Sequence, residues 1–321
     1  MIRVAETDRV RPVVGARLFA CTASDGYRLH HHHWAAAARR PRAYVIALHG
    51  IQSHAGWYEY SSGRLAEAGC DMRFLDRRGS GANAAARGHA PHEERLINDV
   101  AQVLAATRIE RDRLAPHAPV VLLAVSWGGK LAAAVAARRP DLVDALALSS
   151  PGIRPRIRPR WWQAALLRLA EFHGCLHGKS RVPLDDPRLF TADPRWQRFI
   201  RDDPRALRRV TWGFLLASSR LERIAETAAP HLESPLLMML AGRDRIIDTP
   251  ATRAYFKEIA AARKTLIEYP EAAHTLEFES NRDTWIDDLI GWIESVRTGG
   301  KERDGWIEPT ARMGRIVQKH G

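Results

Sequence analysis

Three cysteines in 321 residues, Cys21, Cys70 and Cys175, are too few and too scattered to staple a fold. None stands in C-x-x-C spacing, so neither a zinc site nor a dithiol centre is expected, and all three read as reduced thiols of a cytosolic chain. Long apolar runs are missing as well. No stretch approaches the ~20 uncharged residues that a bilayer span requires, and residues 1–9 lack the apolar core of a signal peptide. The expectation is a soluble, unexported protein, cytoplasmic or peripheral at a membrane. Nucleotide loops are lacking too: Gly129-Lys130 is followed by Leu131 and has no upstream glycine spacing, which excludes a P-loop. Gly79-Ser80-Gly81-Ala82-Asn83-Ala84 fits G-x-G-x-x-A only formally. Two arginines precede it and at least two strands come earlier, whereas a dinucleotide loop opens its helix directly from the first strand. No cofactor and no metal are expected.

What is present begins with 45% apolar content over a length that suits one large α/β domain with an insertion. The formal charge is +12, which raises nucleic acid or an anionic membrane as partners. Its distribution says more. Residues 151–230 hold sixteen Lys and Arg against eight Asp and Glu, so +8 of the +12 lies in one segment. No nucleic-acid module is visible, and that reading ranks last. The run His30-His31-His32-His33 falls in a strand expected over 27–34, where only alternate side chains share a face. With no carboxylate or cysteine to complete either alternate pair nearby, it reads as a surface strand of adventitious metal affinity.

The chain is organised around Val120-Val121-Leu122-Leu123-Ala124-Val125-Ser126-Trp127-Gly128-Gly129-Lys130. The apolar run predicts a buried parallel strand and the Ala/Leu-rich residues 131–138 a helix, with Ser126 at a sharp turn between them. Such a turn needs small residues on both sides, which Ala124 and Gly128 supply, and it lifts the hydroxyl clear of the sheet. The N–H of Trp127, at the helix start, then points toward an oxyanion formed on a group attacked by Ser126. The competing reading makes Ser126 a helix cap. These residues resemble the nucleophile elbow of the α/β-hydrolase superfamily, with Ala124 in place of the first glycine of G-x-S-x-G.

The resemblance extends along the chain and narrows to enzymes like monoacylglycerol lipases and lysophospholipases. The strand Ala43-Tyr44-Val45-Ile46-Ala47-Leu48 runs into His49-Gly50, which in that group leads the loop donating the second oxyanion N–H; matched by position, the donor is Ile51. His54-Ala55-Gly56-Trp57-Tyr58-Glu59 is similar to the group's H-S-G-R-Y-E. Asp76-Arg77-Arg78-Gly79-Ser80-Gly81 fits its D-x-R-G-x-G and reads as a structural loop beside the pocket. The acid implied is Asp244, after the strand ending at Gly242, although Gly242-Arg243-Asp244 matches the common G-x-x-D only when counted from Ala241. Asp248 is its rival, but it precedes Thr249-Pro250 and suits a helix cap. His274, after the last strand, completes the superfamily order Ser126, Asp244, His274.

A helix is expected over 93–114, with Leu96, Ile97, Val100, Val103 and Leu104 on one face, followed after the elbow by a strand over 142–148. The alternation of strand and helix then stops. Residues 151–230 sit where α/β-hydrolases insert a lid, and Trp161, Trp162, Phe172, Phe190, Trp196, Phe199, Trp212 and Phe214 offer aromatic surface to cover an apolar substrate. Arginines interleaved with these rings also suit the interface of an anionic membrane, against the plainer alternative of a solvated basic face. A last helix over 282–296 buries Trp285, Leu289 and Trp292. The expected organisation is an α/β-hydrolase core of mostly parallel sheet flanked by helices, from 1–150 and 231–298, a helical lid from 151–230, and a flexible basic tail from 299–321.

The implied activity is serine hydrolysis of a carboxylic ester, of monoacylglycerol or lysophospholipid type, through an acyl-enzyme. Thioesterases, acyltransferases and aminopeptidases share the scaffold. An aminopeptidase would want an acidic cluster in the lid, which the positive balance there argues against. A non-catalytic binding protein on the same fold is the other class. Lys130 does not suit a Ser-Lys dyad, because S-x-x-x-K spacing on the elbow helix turns it away from Ser126.

Overall fold

The computed structural model describes residues 15–157, 161–299 and 316–320. The chain opens with β1 (Arg17–Thr22) and β2 (Arg28–Trp34), an antiparallel pair. There follow β3 (Ala43–Leu48), α1 (Glu59–Glu67), β4 (Cys70–Leu75), α2 (Glu93–Leu114), β5 (Val120–Val125), α3 (Trp127–Arg138) and β6 (Ala145–Ser149). An insertion carries α4 (Trp161–Phe172), β7 (Lys179–Arg181), α5 (Pro194–Asp202), β8 (Arg209–Thr211) and α6 (Trp212–Ala228). The core resumes with β9 (Leu236–Ala241), α7 (Thr249–Glu258), β10 (Lys264–Tyr269), α8 (Arg282–Arg297) and β11 (Ile316–His320).

Nine strands form one sheet in the order β1-β2-β4-β3-β5-β6-β9-β10-β11. The six from β4 to β10 run parallel, and the antiparallel β2 and β11 flank them. β3, β5, β6 and β9 are buried at every position, because helices cover both faces and their sequences are unbroken apolar runs. In α2 the predicted stripe is buried as expected, and the Nδ1 of His92 caps the helix by accepting from the N–H of Arg95. The arrangement is the α/β-hydrolase fold, and it gathers the loops after β3, β5, β9 and β10 at the carboxyl end of the sheet, where such sheets bind their ligands.

Three local expectations change. The strand expected from residue 142 begins at Ala145, because Pro140 starts a 3-10 turn over Pro140–Leu142. The elbow helix begins at Trp127, as expected, with its two glycines included. The histidine run is no surface strand: β2 lies between β1 and β4, so the half-buried imidazoles meet groups brought from elsewhere in the chain. His33 Nε2 lies 2.8 Å from Asp71 Oδ2, His30 Nδ1 lies 2.9 Å from Asn83 Oδ1, and His32 Nε2 lies 3.5 Å from Asp76 Oδ2. The insertion, expected to be helical throughout, also contains a two-stranded ribbon of β7 and β8. Most of the tail expected to be flexible lies outside the described residues; β11, within it, pairs antiparallel with β10.

The insertion is fastened to the elbow helix. α6 lies against α3, where Trp127 Nε1 donates to Ser218 Oγ at 2.8 Å and Lys130 Nζ donates to Glu222 Oε2 at 2.8 Å. Lys130 therefore faces α6, in keeping with its predicted turn away from Ser126. Among the described residues no helix is long and apolar enough to cross a membrane.

Candidate active site

Ser126 ends β5 at φ +54°, a left-handed conformation that costs a non-glycine residue about 1–3 kcal/mol and persists only where its surroundings fix it. They do so from three sides: its N–H donates to Ser149 O at 2.9 Å, and its carbonyl accepts from Gly129 at 2.8 Å and Gly152 at 2.6 Å. The small residue after the serine is obligatory. A Cβ on Gly128 would lie 2.8 Å from Leu48 O and 2.9 Å from His49 O, both main-chain atoms. Ala124, two residues before, is fully buried with its methyl in place, so glycine is not required there. The side chain of Ser126 makes no capping bond to α3, which removes the cap reading and leaves the hydroxyl free for another partner.

That partner is His274, whose Nε2 lies 2.9 Å from Ser126 Oγ. Its Nδ1 lies 2.7 Å from Asp244 Oδ2. The tautomer follows from the second contact: an ionised carboxylate only accepts, so Nδ1 carries the hydrogen and Nε2 presents its lone pair to the serine hydroxyl. Asp244 Oδ1 is pinned by the N–H groups of Ile246 and Ile247 at 2.8 and 2.9 Å, which aims Oδ2 at the imidazole. Burial alone would push the Asp244 carboxyl up; His274 and those two N–H groups overcome it and hold it below the usual carboxylate range. Asp248, the rival acid, caps α7 by accepting from the N–H of Ala251 at 3.0 Å.

The loop after β3 passes Ser126 closely: a Cβ on Gly50 would lie 3.3 Å from the serine Cβ and 3.6 Å from Oγ. The carbonyls of this loop are gripped from below. His49 Nδ1 donates to Gly50 O at 2.7 Å, while His49 Nε2 accepts from the N–H of Arg77 at 3.0 Å. Burial, reinforced by the Arg77 charge, pushes His49 down to about 3, so the ring is neutral in this role. Arg77 itself donates from Nη1 to Gly50 O at 3.2 Å and from Nη2 to Ile51 O at 3.1 Å. In a planar trans peptide the N–H points opposite to the carbonyl before it, so gripping Gly50 O turns the N–H of Ile51 to the other side of the loop. The second candidate donor, the N–H of Trp127, belongs to the first residue of α3, where a helix offers it no internal acceptor.

The Asp76-Arg77-Arg78-Gly79-Ser80-Gly81 loop supports this arrangement. The Asp76 carboxylate accepts from the N–H groups of Ala55 and Ala82 at 2.9 and 2.8 Å, and a Cβ on Gly81, which stands at φ +54°, would overlap it. Arg78 forms a bidentate pair with Asp99 on α2.

Above Ser126 and His274 the insertion closes over the site. Leu184 and Phe190 from the insertion, with Trp57 and Gln52 from the core, wall a cavity of about 10 Å³, the space of a single water molecule. The N–H of Thr275 donates to Phe190 O at 2.9 Å and the N–H of Leu207 to Gln52 O at 2.8 Å, so main-chain bonds as well as side chains tie the insertion across it. Of the predicted aromatics, Phe190, Trp196 and Phe199 pack into a cluster with Trp57 and Phe278, and Phe214 stacks on Trp127. Phe172 instead faces solvent. Trp161 and Trp162 begin α4, and their side chains lie outside the described residues.

A family model described as serine aminopeptidase, S33, matches residues 39–281, three quarters of the sequence. The chain belongs to this family of α/β-hydrolases. The hydrolase is 27% identical over 259 residues to an abhydrolase domain-containing protein of Dictyostelium discoideum, of which it spans only 26%. It is 26% identical to the monoacylglycerol lipase of Mycolicibacterium smegmatis, the match covering 79% of this chain and 89% of that one. Among solved structures it resembles a soluble variant of monoglyceride lipase from Saccharomyces cerevisiae in complex with a substrate analogue, with a TM-score of 0.77 at 18% identity over 88% of this chain and 95% of the other. Two residues of the hydrolase's site carry no signal in its sequence. Arg77 occupies the variable position of the D-x-R-G-x-G match, and Gln52 follows Ile51 at a position that no motif fixes.

Proposed function

We propose that the chain is a serine hydrolase that cleaves carboxylic esters of lipid-like alcohols through an acyl-enzyme. The observation that carries the reading is the continuous relay from Asp244 Oδ2 to His274 at 2.7 Å and from His274 to Ser126 Oγ at 2.9 Å, beside a loop whose carbonyls are turned away. In this mechanism the Ser126 hydroxyl gives its proton to His274 Nε2 as Oγ bonds to the ester carbonyl carbon. The carbonyl oxygen becomes an oxyanion held by the N–H groups of Ile51 and Trp127. His274 returns the proton to the departing alcohol oxygen as the carbon–oxygen bond breaks, and Asp244 stabilises the imidazolium in between. Water then repeats the sequence on the acyl-enzyme and releases the acid.

The substrate reading rests on the monoacylglycerol lipase relatives and on the cavity. Trp57, Leu184 and Phe190 give it apolar walls, and among the described residues no Asp or Glu lines it to hold a substrate amine, which argues against aminopeptidase chemistry here. In this reading residues 151–230 act as a lid over a core of 1–150 and 231–298. A one-water cavity is a closed state, so the lid must part from the 49–57 segment to admit an acyl chain. Contact with an anionic membrane is the occasion we assign to that opening, since α4 shows Leu166, Leu169 and Phe172 to solvent along one side.

The test is the intact mass of the protein after exposure to a fluorophosphonate, with Ser126→Ala alongside. One adduct on the wild type and none on the variant is expected, together with a roughly 10⁴- to 10⁶-fold loss of esterase turnover in Ser126→Ala at an unchanged thermal midpoint. Undiminished hydrolysis by Ser126→Ala would reject the assignment.

A further inference from the structure

Gln52 is 1% exposed and lines the same cavity as Ser126 and His274, yet neither Oε1 nor Nε2 of its carboxamide meets a hydrogen-bond partner among the described residues. That is an expensive arrangement. Each buried polar group left unpaired costs about 1–3 kcal/mol, and an apolar side chain of the same size would avoid the penalty. The side chains of His274, Ser53 and Tyr58, also in the lining, are already engaged. His274 is held between Asp244 and Ser126, and Ser53 Oγ lies 3.2 Å from Tyr58 OH, so those two satisfy each other. The main-chain carbonyl of Gln52 is also taken, by the N–H of Leu207. The carboxamide is the part of this residue left with unmet hydrogen-bonding capacity.

Its position is held firmly. Gln52 follows Ile51, whose carbonyl Arg77 grips at 3.1 Å, and precedes Ser53, bonded to Tyr58. A side chain anchored on both flanks, beside the nucleophile and unpaired, is arranged for a group that arrives with the substrate. We infer that Gln52 is a specificity-determining residue that hydrogen-bonds a neutral hydroxyl close to the scissile ester. This inference rests on the ester-hydrolase reading above.

The chemistry of the partner follows from the carboxamide and from its company. Nε2 donates and Oε1 accepts, so the complementary group must both accept and donate while staying neutral, as a hydroxyl does. A phosphate would meet Oε1 as an unfavourable neighbour and would find no Lys or Arg in the cavity lining among the described residues. An ammonium group would likewise find no carboxylate. Of the two lipid esters proposed from the sequence, the cavity therefore favours the glyceryl ester over the lysophospholipid. The hydroxyl can belong to the departing alcohol, as in a monoacylglycerol, or to the acyl chain near its carbonyl, and two substrate pairs separate these sources.

The experiment compares kcat/KM for a 1-monoacylglycerol with that for the methyl ester of the same acid, and for a methyl 3-hydroxyalkanoate with that for the unsubstituted methyl ester. Both ratios are measured in the wild type, Gln52→Met and Gln52→Leu. Taking ratios within each protein cancels any general loss of turnover, and fluorophosphonate labelling shows whether Ser126 is still activated in each variant. The expected result is a wild-type preference for the hydroxylated ester in one pair and a fall of at least about tenfold in that preference in both variants. A wild-type enzyme that hydrolyses all four esters without preference, or variants that keep the preference, overturns the role of Gln52 and leaves the ester-hydrolase reading intact. A wild type that labels with fluorophosphonate on no serine and hydrolyses no ester overturns both.

Discussion

Arg77 is a buried cation with no carboxylate at ion-pair distance among the described residues, which is an unusual thing to place beneath a candidate active site. Its guanidinium lies between two main-chain carbonyls and the rings of Trp127 and Phe214, whose centroids are 4.6 and 4.9 Å away. Burial pushes it down to about 9, which leaves it charged at neutral pH. The carbonyl dipoles and ring faces are therefore what compensate the charge. In the proposed reaction this residue touches no reacting atom; it acts through the peptide that presents the N–H of Ile51. Arg77→Met keeps the stem and removes the grip, so kcat should fall about 10²- to 10³-fold with KM changing far less, the signature of support lost at the transition state. Arg77→Lys should recover only part, because an ammonium cannot bridge two carbonyls in one plane. A rise in KM at constant kcat would show that Arg77 shapes substrate binding instead. The contrast with Ser126, Asp244 and His274 explains what a sequence can disclose at this scale. Those three are chemically restricted residue types, each just beyond its own strand, whereas Arg77 differs from a dozen solvated arginines only in the loop that folds over it.

Elements are tied together at this level by groups whose protonation matters. Glu277 lies in the 3-10 turn Leu276–Phe278 ahead of α8, and its Oε1 accepts from the N–H of Ser61 at 3.1 Å, satisfying an orphan donor in the first turn of α1. Its Oε2 has no partner among the described residues, and burial pushes the carboxyl up to about 7. An unfolded glutamate titrates at ~4.3. Between those values the folded chain binds more protons than the unfolded one, so this group's contribution is complete below about pH 4.5 and is lost as pH rises through about 7. Glu277→Gln is neutral at every pH and should stabilise the protein at pH 8 but not at pH 4, by a difference on the order of 3 kcal/mol. Thermal melts of both proteins across that range measure it, and parallel curves would refute it. The unbroken apolar strands β3, β5 and β9 could be read from the sequence because burial on both faces leaves no polar position in them. The ribbon of Lys179-Ser180-Arg181 and Arg209-Val210-Thr211 could not, since three residues per strand are too few to show a period, β7 burying none of them and β8 the adjacent pair Val210 and Thr211. The histidine strand misled for a related reason: its carboxylate partners, Asp71 and Asp76, are close in space but about 40 residues away in sequence.

Across the whole molecule, charge and apolar surface accumulate on the same segment. Residues 151–230 carry +8, and within them Leu166, Leu169 and Phe172 are 55%, 53% and 83% exposed at three-residue spacing along α4. Packed against α6, α4 turns this stripe outward, although a helix of a folded domain ordinarily turns its apolar side to the core. α6 is fastened to the elbow helix by Trp127–Ser218 and Lys130–Glu222, and Arg220 Nη2 of α6 donates to Glu171 Oε1 of α4 at 2.6 Å, so the stripe is carried on a helix tied back to Ser126. A surface that offers arginines to headgroup phosphates and a Leu/Phe stripe to acyl chains should partition onto anionic bilayers through both terms at once. We expect co-sedimentation with phosphatidylglycerol-containing vesicles, little with pure phosphatidylcholine, and partial release in high salt, because screening weakens only the electrostatic share. Leu169→Glu with Phe172→Glu removes two side chains worth about 1.5–3 kcal/mol each when buried, so the partition coefficient should fall at least tenfold. Hydrolysis of a water-soluble ester should change much less than hydrolysis of the same acyl group presented in vesicles, which separates docking from chemistry. Equal vesicle binding by the wild type and the double variant would return α4 to the status of a solvated face, and the opening of the cavity over Ser126 would then have to be driven by the substrate alone.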